Sequence, residues 1–458
     1  MDRLPAELIR LIGEHIQDRR TLLALVRCSR RLHAVLEPFL YEFHLDMNSF
    51  YVHDIPFIIR LWHRPDLARR VRSLDICWAD GPVEDDYFDP EDATDLSGME
   101  EFIEEALEVI FTPEEEEFRS QWREYLQDFY DEAWLAVLLV PLTRLKSLEL
   151  GYEDSELMSQ VLNKAAKRER PFHESAPFPF LRDVNAVYRW GDGGIKSDLI
   201  TPFFYFPAVR SISGSHIWEI PADSDSRTEE PASSSSSVQH QSCPIRNITL
   251  RKVWDCRGML DWLAVCEGLK HIYIEISRHR DDSNNQTIFN GTRFYQALLP
   301  FKRTLESLDV EYDIYYKRRL EATLANIPED NAPFGSFKDF SALQHMTVRH
   351  AHLMRLFPPD LLAASNESQL VKMLPGSLRS FGVRDILRIF YPDLLSELSY
   401  LVKDRVPFPQ LEELSLYRGN IDPELAQPLQ LECKARGVGF FWLRQANIQY
   451  IRYCDVRD

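Results

Sequence analysis

Leu305-Glu306-Ser307-Leu308-Asp309-Val310, Leu343-Gln344-His345-Met346-Thr347-Val348, Leu378-Arg379-Ser380-Phe381-Gly382-Val383 and Leu411-Glu412-Glu413-Leu414-Ser415-Leu416 are one phrase repeated, apolar at its first, fourth and sixth positions. The phrase also occurs at Val71–Ile76, Leu145–Leu150, Leu181–Ala186, Ile245–Leu250 and Leu269–Ile274, with a degenerate copy at Val209–Gly214. The fourth positions Ile272, Leu308, Met346, Phe381 and Leu414 are 36, 38, 35 and 33 residues apart. That near-constant period is the mark of a solenoid. The end of each phrase alternates, as a short strand does, and helical runs follow several copies: Leu157–Arg168, Leu260–Cys266, Phe294–Leu299, Leu320–Ile327, Leu394–Val402 and Leu425–Ala435. Strand, helix, strand implies parallel strands joined by right-handed crossovers. Phe178-Pro179, Phe206-Pro207 and Phe408-Pro409 precede three of the strands, where proline suits an extended approach and cannot continue a helix.

These phrases resemble leucine-rich repeats, and the resemblance implies a stacked β–α solenoid with a parallel sheet. The Asn or Cys that usually follows the strand is missing from most copies, so an irregular curvature is expected. An ordinary open α/β sheet is the structural alternative.

If the first, fourth and sixth positions point inward, the third, fifth and seventh face outward, because strand side chains alternate. The seventh positions of the later copies are Arg251, Glu275, Glu311, Arg349, Arg384 and Tyr417, and Tyr273 and Asp309 stand beside them at fifth positions. In register across parallel strands, these charged and aromatic groups would form a row able to grip a polar segment of a target protein. The alternative is the solvated face of a sheet.

The N-terminus reads differently. Between Leu4 and Tyr41, Leu8, Ile12 and Ile16 recur every four residues; Leu22, Leu25 and Val26 mark a second short helix that Thr21 could cap; and Leu32, Val35 and Leu36 mark a third that Ser29 could cap and Pro38 would end or bend. A unit below about 40 residues usually needs a partner or a staple. Leu4-Pro5-Ala6-Glu7-Leu8, Ile12, the Leu22–Val26 cluster, Cys28-Ser29-Arg30, Leu32 and Pro38-Phe39-Leu40-Tyr41 resemble an F-box in order and spacing. The resemblance implies docking on the Skp-type linker subunit of a cullin (SCF) ubiquitin ligase, with Leu4, Pro5, Leu8, Ile12, Leu22, Leu25 and Leu32 as the apolar contact set and Leu4, Pro5 and Leu8 the most partner-directed. The other reading is an ordinary helical subdomain packed on the main body. The expected organisation is thus an α/β chain, with a three-helix F-box over residues 1–45 and a leucine-rich-repeat-like solenoid over 46–458. Its expected role is that of a substrate adaptor, or else a non-degradative interaction scaffold.

Charge and composition narrow the function classes. Of the formal net charge of −19, seventeen negative charges fall between Asp80 and Glu117 with no Lys or Arg among them, which leaves the rest of the chain nearly balanced. A basic face for nucleic acid is therefore not expected. In and directly after that acidic insertion, Met99–Phe111 and Phe118–Leu139 carry helical apolar spacing, whereas a second insertion, Ala222–Ser242, with five consecutive serines, cannot bury enough apolar surface to order itself. No run of about 18 apolar residues predicts a membrane span. Seven scattered cysteines (Cys28, Cys77, Cys243, Cys256, Cys266, Cys433 and Cys454) and no signal-peptide pattern predict reduced thiols and a cytoplasmic or nuclear location.

Catalytic patterns are missing from the sequence. Gly191-Asp192-Gly193-Gly194 reads as a turn, there is no G-x-S-x-G elbow, and His350-x-His352 has no third metal ligand nearby in sequence. The expectation is a protein-binding chain with no cofactor, no metal and no chemistry of its own.

Overall fold

A computed structural model describes residues 4–16, 19–40, 43–78, 98–151, 156–188, 193–219, 243–277, 289–313, 333–353, 368–386, 390–403, 406–417 and 423–443. The helix expected at 320–327, the first part of the acidic insertion and the serine-rich tract at 222–242 lie outside them. The chain divides into two compact units, Met1–Asp192 with Tyr205–Val209, and Gly193–Phe204 with Arg210–Asp458.

The first unit begins with helices α1 (Ala6–His15), α2 (Arg19–Cys28) and α3 (Arg30–Leu40). They share a small core of Ile9, Leu22, Val26, Leu32 and Leu36, so this segment buries more of itself than its length suggests. In α1 the buried stripe is Ile9 and Gly13, one residue out of phase with the Leu8–Ile12–Ile16 stripe the sequence indicated. Both series have helical spacing, and Gly13 decides between them: a Cβ there would meet Leu36 Cδ2 at 2.6 Å, so α1 and α3 meet at this glycine. Ser29 caps α3, its Oγ accepting from the Leu32 N–H at 3.1 Å. Thr21 falls inside α2, which starts at Arg19, and Pro38 sits in the last turn of α3, which ends at Leu40.

The sheet of this unit contains β1 (Phe43–Met47), β2 (Val71–Cys77), β3 (Ser147–Gly151) and β4 (Asp183–Val187), all parallel and in that order. β1 carries no copy of the phrase and had no signal in the sequence. Between strands run α4 (Ile55–His63), α5 (Pro65–Ala68), α6 (Met99–Ile110), α7 (Glu116–Gln127), α8 (Asp131–Leu139) and α9 (Leu157–Lys167). The second half of the acidic insertion is therefore folded. Its charged face pairs, Glu104 meeting Arg119 and Arg123 at 3.0 and 2.5 Å, and these guanidiniums hold the Glu104 carboxyl below its ordinary value against the opposing effect of burial. The expected single helical run 118–139 is two helices, because α8 is buried on every side whereas α7 is amphipathic. Trp134 anchors α8, stacked on Phe102 at 5.8 Å and donating from Nε1 to the Leu126 carbonyl.

The second unit holds β6 (Ser211–Ser215), β8 (Asn247–Val253), β9 (His271–Ile276), β10 (Ser307–Tyr312), β11 (His345–Arg349), β12 (Ser380–Arg384), β13 (Glu413–Tyr417) and β14 (Gly439–Leu443) in one parallel sheet. A separate pair, β5 (Ile195–Lys196) and β7 (Ile217–Trp218), lies outside that ladder. The fourth positions align strand to strand, Ile272 opposite Leu308, Leu308 opposite Met346, Met346 opposite Phe381 and Phe381 opposite Leu414. Phe440 on β14 extends the row past the last copy of the phrase. A backbone ladder starts at the second position of each phrase: Arg246 N–H bonds to the Arg210 carbonyl, Lys270 to Arg246, Glu306 to Lys270, Gln344 to Glu306, Arg379 to Gln344 and Glu412 to Arg379, at 2.7–2.9 Å. This continuous pairing fixes the repeat spacing although the usual Asn is absent. Helices such as Gly291–Leu298, Tyr391–Lys403 and Pro423–Arg436 pack behind the strands. Among the described residues no helix is long and apolar enough to cross a membrane.

Candidate protein-binding surfaces

In the second unit the outward positions meet in register. Tyr273 stands opposite Asp309, Glu275 opposite Glu311, and Arg349 opposite Arg384. Five of the residues singled out from the sequence, Tyr273, Asp309, Glu311, Arg384 and Tyr417, join in one network. Arg384 Nη2 donates to Asp309 Oδ2 at 3.0 Å, its Nη1 meets Glu311 Oε2 at 2.5 Å, and its guanidinium lies over the Tyr417 ring at 4.1 Å. Tyr273 donates from its hydroxyl to Glu311 at 3.4 Å. Gly382 makes room for this: a Cβ there would meet Thr347 Oγ1 at 2.7 Å and Tyr417 Cε2 at 3.1 Å.

The two arginines expected to grip a target do not project from the face. Arg384 is 4% exposed and Arg349 5%. Arg349 bonds from Nε to Asp385 Oδ2 at 3.1 Å and stacks over Tyr312 at 4.0 Å. At the ends of short strands these long side chains fold back on neighbouring repeats, where ion pairs and rings replace their lost hydration. Charge reversal at these positions would therefore strike the fold itself and not only a binding face.

Electrostatics follow the burial. Desolvation drives the Asp309 carboxyl up to about 6 against the pull of Arg384. Burial opposes the charge of Arg384, but Asp309 and Glu311 more than offset it and raise its pKa further. Glu275 is also raised, first by desolvation and then by Glu311 across the register.

Arg251 lies apart from the network. The register between β8 and β9 shifts after Leu250, so that Arg251 and Lys252 both occupy the span opposite Glu275, and both are exposed. Lys252 adopts a left-handed φ of 51° and its Nζ lies 3.1 Å from His216 Nε2. The seventh-position rule assumes no bulge, and this is why it missed Lys252. The solvent-facing part of the surface is thus Arg251, Lys252, His216 and the half-buried Glu275 and Tyr273, with the Arg384 network as its rigid floor. Close by, Glu219 accepts from the backbone N–H groups of Arg257, Gly258 and Met259, which fixes the loop after β8.

In the first unit, Leu22 and Leu32 are spent on the internal core, and Leu4 and Leu25 pack partly against it. Ile12 is half-buried, Pro5 is exposed, and Leu8, Leu11 and Leu23 are 45, 50 and 38% exposed. The apolar surface open to a partner is therefore Pro5, Leu8, Leu11 and Leu23. Leu11 and Leu23 were missed because helix phase could not be fixed without α3.

Among the described residues no group of three or more His, Cys, Asp or Glu side chains could hold a metal ion. A family model for the leucine-rich repeat domain matches residues 51–424. No curated protein matches the chain.

Proposed function

Since the chain belongs to the leucine-rich repeat domain family, whose domains are typically interaction modules, we propose that it is a substrate-recognition adaptor of a cullin-type ubiquitin ligase. The N-terminal helices would dock on a Skp-type linker subunit, and the repeats would hold a target protein. The observation that carries this reading is the exposed set Pro5, Leu8, Leu11 and Leu23 on a three-helix segment whose own core is already complete. Of these residues, Pro5 and Leu8 belong to the F-box-like pattern, and that resemblance supports a Skp-type subunit as the partner that covers the patch. The chain performs no bond chemistry in this role. It raises the effective concentration of a target next to a ubiquitin-charged enzyme.

On the repeats, Arg251, Lys252, Tyr273 and Glu275 are the groups that can meet a target, because they reach solvent while Arg384 is held beneath them by Asp309, Glu311 and Tyr417. Affinity purification of the full chain, with and without proteasome inhibition, tests the assignment. Recovery of a Skp-type subunit and a cullin supports the adaptor. Recovery of other proteins without either one supports a non-degradative scaffold instead.

A further inference from the structure

Cys243 precedes the phrase that forms β8, and Cys266 follows the helix Leu260–Val265 ahead of β9. The two residues pair as an isolated parallel β-bridge, which sets their backbones at sheet spacing, within the Cα range a disulfide requires. Their sulfurs are 3.6 Å apart and both side chains are buried. The two thiols share a hydrogen bond in which either sulfur can donate; that contact lowers the pKa of Cys243 and, with burial, raises that of Cys266. Cys28, by contrast, is exposed.

We propose that Cys243 and Cys266 form a redox-active dithiol site that reacts with a small organic disulfide and closes to an intrachain disulfide. The Cys243 thiolate attacks one sulfur of the oxidant, breaking its S–S bond; a mixed disulfide forms and one thiol leaves after taking up a proton. Cys266, deprotonated in turn, attacks the Cys243 sulfur, forming the Cys243–Cys266 bond and releasing the second thiol. The protein loses two protons and two electrons, and the oxidant gains both. The sulfurs must approach by about 1.5 Å, a side-chain rotation at fixed backbone spacing. The closed ring holds the start of β8 to that of β9 and encloses the repeat that carries Arg251 and Lys252.

The test uses the full chain, reduced and freed of reductant, then treated with 2-hydroxyethyl disulfide, alkylated, digested and mapped by mass spectrometry. The expected result is a linked pair of peptides containing Cys243 and Cys266, lighter by two hydrogens and separated by reductant, with Cys28 carrying only the mixed adduct. Melting should rise by several degrees on closure and return on reduction. In Cys266→Ser the reaction should stop at the mixed disulfide on Cys243. If both thiols remain alkylatable on unfolding after Cys28 has fully reacted, or if each carries a separate adduct, the site does not exist. Should Cys266→Ser fail to fold, the linkage found in the unsubstituted chain decides.

Discussion

Arg384 on β12 reaches across β11 to Asp309 on β10, an N–O distance of 3.0 Å between residues 75 apart in sequence. The guanidinium thereby ties three consecutive repeats together on the face opposite their apolar core. Cooperativity between repeats in a solenoid depends on nearest-neighbour contacts, and this one spans a next-nearest neighbour.

Removing that guanidinium takes their ion-pair partner from two half-buried carboxylates, Asp309 and Glu311. Arg384→Ala should cost about 3–5 kcal/mol in chemical denaturation. The same substitution made on an Asp309→Asn, Glu311→Gln background should cost much less, since no carboxylate then loses its ion-pair partner. Equal costs in both backgrounds would show that the ion pairs contribute nothing beyond packing.

Room for the network depends on a hydrogen atom at Gly382. Gly382→Val should destabilise by about 1–3 kcal/mol, because the new side chain meets Thr347 and Tyr417. Gly268→Ala, where nothing lies within 4 Å of the added carbon, should change stability by less than about 0.5 kcal/mol. Equal denaturation midpoints for the two variants would remove the steric argument.

Acid should weaken the fold through His350. It is 2% exposed, and burial, assisted by the Arg349 charge, lowers its pKa to about 4. Between that value and the ordinary one near 6.5, the unfolded chain binds the proton and the folded chain does not. The contribution is therefore complete above about pH 6.5 and is lost as pH falls through about 4, amounting to roughly 3 kcal/mol. Asp309, raised to about 6, acts in the opposite sense over an overlapping range. The comparison that isolates the histidine is wild type against His350→Leu: their stability difference should change between pH 7 and pH 4.5, and a constant difference would refute the assignment.

If the N-terminal helices dock as proposed, substitutions on their surface and in their core should have different effects. Leu8→Asp should leave the stability of the chain within about 0.5 kcal/mol and abolish capture of a Skp-type linker, since Leu8 is exposed. Leu32→Asp should lose both, because it places a carboxylate in the small core. Full linker capture by Leu8→Asp in a pull-down would place the contact elsewhere.

The periodic part of the fold was legible in the sequence because period-2 alternation repeats at nearly fixed spacing; the phrases at 305–310, 343–348, 378–383 and 411–416 became β10, β11, β12 and β13 with their fourth positions aligned. The outward row was legible for the same reason, since alternation alone puts Tyr273, Asp309 and Glu311 on one face. The edge strands β1 and β14 carry no phrase and are specified by pairing with a neighbour.

What the sequence by itself determined was which residues share a face, since that follows from local backbone geometry. Only the tertiary structure decided what those residues do there. Whether Arg384 projects or folds back depends on Asp309, 75 residues upstream, and on the missing Cβ of Gly382. Whether Leu8 or Ile9 faces inward depends on where α3 brings Leu36 against Gly13. Such choices are settled by contacts between segments distant in the chain, and no local period records them.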